Sequence, residues 1–172
     1  MNSVSWRRFG IRLRLLTPAA LTLAAVFISV VPIGVSGLPE VTPFFTLMAV
    51  YHWSIYRPEL LPAPAVFILG LVQDGLTGGP LGLFALILVI VFGLVSMQRR
   101  TFLGKSFQVE WFGFSLVVLG ATLVSWLISC VYFVTLVDSR PVVLQGILTL
   151  AIYPCIVWIF ARVARTALRP SE

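Results

Sequence analysis

Residues 111–133 read WFGFSLVVLGATLVSWLISCVYF, twenty-three in succession without one charged side chain. A helix of that length rises about 35 Å, enough to cross a bilayer core of about 30 Å. The rest of the chain is of the same kind. Of its 172 residues 59% are hydrophobic and 10% charged, with a mean hydropathy of +1.04. Soluble domains carry about 25% charged residues, so this chain has too little polar surface to cover a globule. It reads as an all-α polytopic membrane protein, a single transmembrane domain over residues 1–172 with room only for short loops.

Six hydrophobic segments follow from this reading, at approximately 15–33, 43–57, 62–76, 80–97, 111–134 and 142–161. Arg7, Arg8, Arg12 and Arg14 before the first resemble the start of a signal peptide. No clear small-residue cleavage site follows, and further hydrophobic segments do, so the first is read as a retained span. Thr17-Pro18 and Thr42-Pro43 each offer an N-cap with proline in the first turn. Pro32 marks the first exit, before a loop over 34–40. Segments 43–57 and 62–76 are short for the bilayer and form either two thin spans or a re-entrant hairpin. Trp53, Tyr56 and Arg57 have the character of interfacial anchors, which favours two spans.

The charges then orient the bundle. With the N-terminus inside, eleven basic residues face the cytoplasm: four N-terminal arginines, Arg57, Arg99, Arg100, Lys105, Arg162, Arg165 and Arg169. Only Arg140 lies outside, as the positive-inside rule requires. Trp6, Trp53, Trp111 and Trp158 fall near the inner boundary. The net charge of +6 and pI near 10.2 therefore point to topology and anionic lipid, not to nucleic acid. Arg162, Arg165 and Arg169 share a helical face that also suits a cytoplasmic partner.

Little catalytic chemistry is present. Two cysteines, one histidine and six acidic residues exclude a cysteine/histidine zinc site or a disulfide framework. Cys130 and Cys155 differ in depth and read as buried small apolar residues. His52 reads as a packed, hydrogen-bonded core residue. The glycines at 75, 78, 79 and 82 lack the lysine of a phosphate loop. No catalytic residue, cofactor or metal is expected.

Asp74 is the exception among the carboxylates, since solvation accounts for Glu40, Glu59, Glu110 and Asp138 at the two faces. Starting a helix at Ala63 leaves Asp74 below the outer surface of the core, where an ionisable group faces a bundle interior or caps a helix. Either Asp74 or Thr77 could cap a helix beginning at Pro80. Gly78-x-x-x-Gly82, and Ala121, Ser125 and Ser129 at every fourth position, read as small-residue ridges for close helix packing.

Three pieces of the chain carry a family resemblance. They are Pro43-Phe44-Phe45-Thr46-Leu47-Met48-Ala49-Val50-Tyr51-His52-Trp53, then Gly70-x-x-x-Asp74-x-x-Thr77-Gly78-x-x-x-Gly82, then Tyr153-Pro154 before a basic tail. In this order and at this length the chain resembles the rod shape-determining protein MreD family over roughly residues 15–169. The resemblance implies a multi-pass protein of the bacterial inner membrane without catalysis of its own. It would help maintain rod shape by linking MreB and MreC to peptidoglycan synthesis, alongside RodA and a penicillin-binding transpeptidase. It also implies a fold similar to the substrate-binding components of energy-coupling-factor vitamin transporters. That likeness supplies an alternative, small-molecule binding for uptake, with Asp74 as the polar contact. Asp74, Gly70, Thr77, Gly78, Gly82, Trp53, Arg57 and Pro154 are the candidate structural or interaction residues.

Overall fold

The computed structural model describes residues 18–30, 41–102, 104, 106–134 and 138–167, and of 102, 161 and 163–167 the backbone alone. The arginines before residue 15, Thr17, Pro32, the loop 34–40, Lys105 and Arg169 lie outside the described residues, as does the side chain of Arg165. Among the described residues all regular structure is helical: α1 Pro18–Val30, α2 Phe45–Tyr56, a 3₁₀ turn Pro58–Leu60, α3 Ala63–Thr77, α4 Leu83–Phe102, α5 Phe107–Phe133 and α6 Ser139–Ala167. Among the described residues three helical stretches are long and apolar enough to cross a membrane: Leu83–Thr101, Phe107–Phe133 and Ser139–Phe160.

The bundle is organised around its shortest described α-helix. Helix α2 has only twelve residues, about 18 Å of rise, yet Thr46 to Ile55 are buried without interruption. A helix buried all round is a core element rather than an amphipathic one. Helices α4 and α6 pack against it, α1 approaches it where Ser29 Oγ lies 3.4 Å from Thr46 Oγ1, α3 packs on α4, and α5 packs on both α4 and α6. Tyr51 at its centre meets Phe114 of α5 and Tyr153 of α6, with ring centroids 5.1 and 6.1 Å away, and Phe114 stacks on Tyr153 at 3.9 Å. The outer helices turn rows of large apolar side chains away from the protein, such as Leu86, Ile90 and Leu94 on α4 and Leu116, Leu119 and Leu123 on α5. Such rows are costly in water and suited to hydrocarbon.

Trp53 belongs to this core and not to an interface. It is 1% exposed, beside His52 and Phe160, within the stretch Thr46 to Ile55 that is buried throughout. Tyr56 and Arg57, at the end of α2, are exposed.

The proposed cap of α2 at Thr42-Pro43 is also corrected. The helix begins at Phe45, and its cap residue Phe44 makes no side-chain cap bond. Helix α6 reaches across instead: the Phe44 amide donates to Thr149 Oγ1 at 3.0 Å, and Gln145 Nε2 donates to the Thr42 carbonyl at 2.7 Å. Lipid adds no hydrophobic drive between helices, so polar tethers of about 1 kcal/mol each matter to their association.

Candidate functional site

The sequence unit from Gly70 to Gly82 folds into a joint between α3 and α4. Asp74 lies on the last turn of α3, 4% exposed. Its Oδ2 accepts from the Gly82 amide at 2.9 Å and from Ala85 at 3.3 Å, and the Phe84 amide is shared between Oδ1 at 3.0 Å and Oδ2 at 3.2 Å. A helix start leaves its first amides without intrahelical partners and carries positive dipole charge. One carboxylate from the preceding helix meets both needs. Asp74 is thus a cap supplied in trans to α4, which begins at Leu83 and not at Pro80. Thr77 takes no part in that cap: its hydroxyl donates back to the carbonyl of Gln73 at 3.0 Å.

The glycines of the unit do different work from that expected. Gly78 and Gly82 have φ of +69° and +92°, and nothing lies within 4 Å of where a Cβ would stand. They serve the turn and not a packing seam. Gly78 is the left-handed C-cap of α3, its amide donating to the Asp74 carbonyl at 3.2 Å. The close approach occurs one helical turn before Asp74, at Gly70, where a Cβ would collide with the Ala85 backbone of α4. Gly70 therefore sets the distance between the two helices, and Asp74 locks their register.

A second polar joint lies at the end of the bundle marked by Arg57, Glu59 and Arg99, and the sequence reading placed its key residue in solvent. Glu110 is in the first turn of α5 and only 7% exposed. Its Oε2 accepts from Tyr56 at 2.9 Å, its Oε1 from Tyr153 at 2.8 Å, and its main-chain carbonyl from Tyr51 at 3.0 Å. Two helices thereby donate three phenols to one residue of a third. His52 Nδ1 stands 4.0 Å from Oε1, beyond hydrogen-bond reach, and has no hydrogen-bond partner. The histidine is packed as expected, against Tyr56 and Phe160. Nearby, Glu59 and Arg99 form an exposed pair at 3.6 Å, worth about 0–1 kcal/mol.

Extending α5 back to Phe107 shows the signal that could have found Glu110. Glu110, Phe114, Val118 and Ala121 are the buried residues of α5, spaced as one helical face. Starting the span at Trp111 cut that face off from its acidic member.

The remaining candidates stay apart from these joints. Arg57 is exposed, its amide closing α2 on the Trp53 carbonyl at 2.8 Å. Pro154 sits within α6 on an exposed face, while its neighbour Tyr153 points inward to Glu110. Cys155 is exposed and Cys130 half-buried, so neither is the fully buried filler expected. Of the small-residue ridge on α5, Ala121 is buried, while Ser125 and Ser129 border a cleft. Among the described residues no three of His, Cys, Asp and Glu are grouped to hold a metal ion.

A helical membrane bundle whose buried carboxylates are spent on joining helices, with α2 as a core, defines a structural membrane protein in class. The comparison of sequences names the group. The chain belongs to the rod shape-determining protein MreD family, whose model matches residues 10–163. That family determines cell shape and is not known as a family of enzymes. No curated protein and no solved structure gives a significant match.

Proposed function

We propose that the protein is a multi-pass, non-enzymatic scaffold of the bacterial inner membrane, with six spans and both termini in the cytoplasm. It holds MreC, and through it MreB, RodA and a penicillin-binding transpeptidase, in the assembly that builds the sidewall. The family match across residues 10–163 carries this reading. The eleven-to-one distribution of basic residues supports the orientation. A rigid bundle suits such a role: both carboxylates buried among the described spans, Asp74 and Glu110, are bound by the protein itself. Gly70, Asp74, Gly78 and Gly82 act as the structural hinge-stop of the α3–α4 pair, and Thr77 closes the last turn of α3. The exposed Arg57 and the Pro154 face are the parts of the candidate set open to partners.

Depletion tests this reading. Cells that lose the protein should round up through disordered sidewall synthesis, and MreC should be recovered with the tagged protein from native membranes in mild detergent. Cells that keep their shape but lose uptake of one vitamin would instead support the transporter alternative.

A further inference from the structure

At the Asp74 end of the bundle a cleft of about 320 Å³ opens between α1, the lead-in to α2, and helices α3, α4, α5 and α6. Two other clefts, each about 370 Å³, are lined almost wholly by apolar side chains. This one differs: half of its lining residues are polar, and none is charged. Two of the polar groups are buried and unused. Gln73, 4% exposed, has no hydrogen-bond partner at Oε1, and Ser125 has none at Oγ. A serine within a helix ordinarily returns its hydroxyl to the preceding turn, as Ser54 does to Val50 at 2.6 Å. Ser125 does not.

Buried polar atoms left without partners are costly and uncommon. Here two of them, from α3 and α5, border the same cavity. Across it stands Gln145, whose Nε2 is already committed to the Thr42 carbonyl. Phe44 and Phe84, with ring centroids 5.1 Å apart, supply an apolar wall. Apolar walls with a few placed polar groups, in a volume of at least about 300 Å³, are the usual make-up of a small-molecule site. Asp74 is not among the lining residues, since its oxygens are turned to α4.

We infer that this cleft binds a neutral, hydroxyl- or amide-bearing ligand about the size of one hexose, held by Gln73 Oε1 and Ser125 Oγ. The missing charge decides the class, because an ion placed here would be desolvated without a counter-charge. Gln73 Oε1 can only accept, so the ligand brings an N–H or O–H to it, while Ser125 can donate or accept. An apolar ring face lies against Phe44 and Phe84.

The test uses the full chain, purified in mild detergent, titrated with N-acetylglucosamine and followed by saturation-transfer NMR. N-acetylglucosamine is a neutral probe with hydroxyls and an amide, and glucosamine is its cationic counterpart. The wild type should bind N-acetylglucosamine saturably and glucosamine at least tenfold more weakly. Ser125→Ala and Gln73→Leu should each weaken binding by about three- to tenfold, the value of one hydrogen bond. Ser115→Ala, remote from the cleft, should leave it unchanged. Should Gln73→Leu fail to accumulate, Ser125→Ala decides alone. No saturable binding to the wild type, equal binding of glucosamine, or an unchanged affinity in Ser125→Ala would each overturn the inference.

Discussion

Truncating Asp74 to alanine strips the start of α4 of its only carboxylate partner. Gly82, Phe84 and Ala85 lose their acceptor, and Phe84 and Ala85 are buried. Loss of a helix cap costs about 0.5–2 kcal/mol, and each buried donor left unpaired about 1–3 kcal/mol. The cap consists of these same bonds and is not added; Gly82 is half-buried, so the two buried donors, at the middle of that range, set the cost at about 3–5 kcal/mol. Asp74→Asn keeps one carbonyl oxygen and the shape. It forfeits the charge assistance and the dipole term, about 1–2 kcal/mol in all. Thermal unfolding in mild detergent should then show the melting temperature falling by about 6–20 °C in Asp74→Ala and about 2–8 °C in Asp74→Asn, at about 2–4 °C per kcal/mol for a chain of this size. In a depletion strain Asp74→Asn should insert but support cell shape poorly. If Asp74→Ala melts within 2 °C (about 1 kcal/mol) of the wild type and both variants rescue fully, the carboxylate is not the joint described here.

Further outcomes follow from the same geometry. Gly70→Ala should lower the amount of folded protein, and Ala85→Gly should not restore it, because the collision is with Ala85 backbone atoms; pulse-labelled membrane fractions would show rescue if the side chain were to blame. Gly78→Leu should reduce accumulation through left-handed strain of about 1–2 kcal/mol, whereas Gly78→Asn, which tolerates that conformation, should accumulate nearly normally. Equal levels of the two would argue against a conformational role. Glu110→Ala should destabilise the bundle by about 1–3 kcal/mol, chiefly by stranding the buried Tyr153 phenol, with Glu110→Gln recovering about half, both read by thermal unfolding. For topology, a cysteine at Ser106 in a background lacking Cys130 and Cys155 should react with impermeant reagent only after cells are opened, and one at Asp138 in intact cells.

What the linear pattern determined is the solvent. Twenty-three uncharged residues from Trp111 and a charge content of 10% leave no water-soluble solution, and the Gly70–Gly82 unit marks a turn with a carboxylate inside it. Hydropathy stops there, because lipid tails and a protein interior are equally apolar. Nothing in the composition of α2 says that Trp53 is enclosed by α6 and not set at a membrane surface; that depends on which helices surround it. Glycine is equally mute: Gly70 answers to the proximity of Ala85, Gly78 and Gly82 to a positive φ, and the letter is the same. Glu110 finds Tyr56 and Tyr153 across 54 and 43 residues of chain. Hydrogen bonds of that kind join helices distant in sequence, so the partner of a buried charge is decided only when the bundle closes.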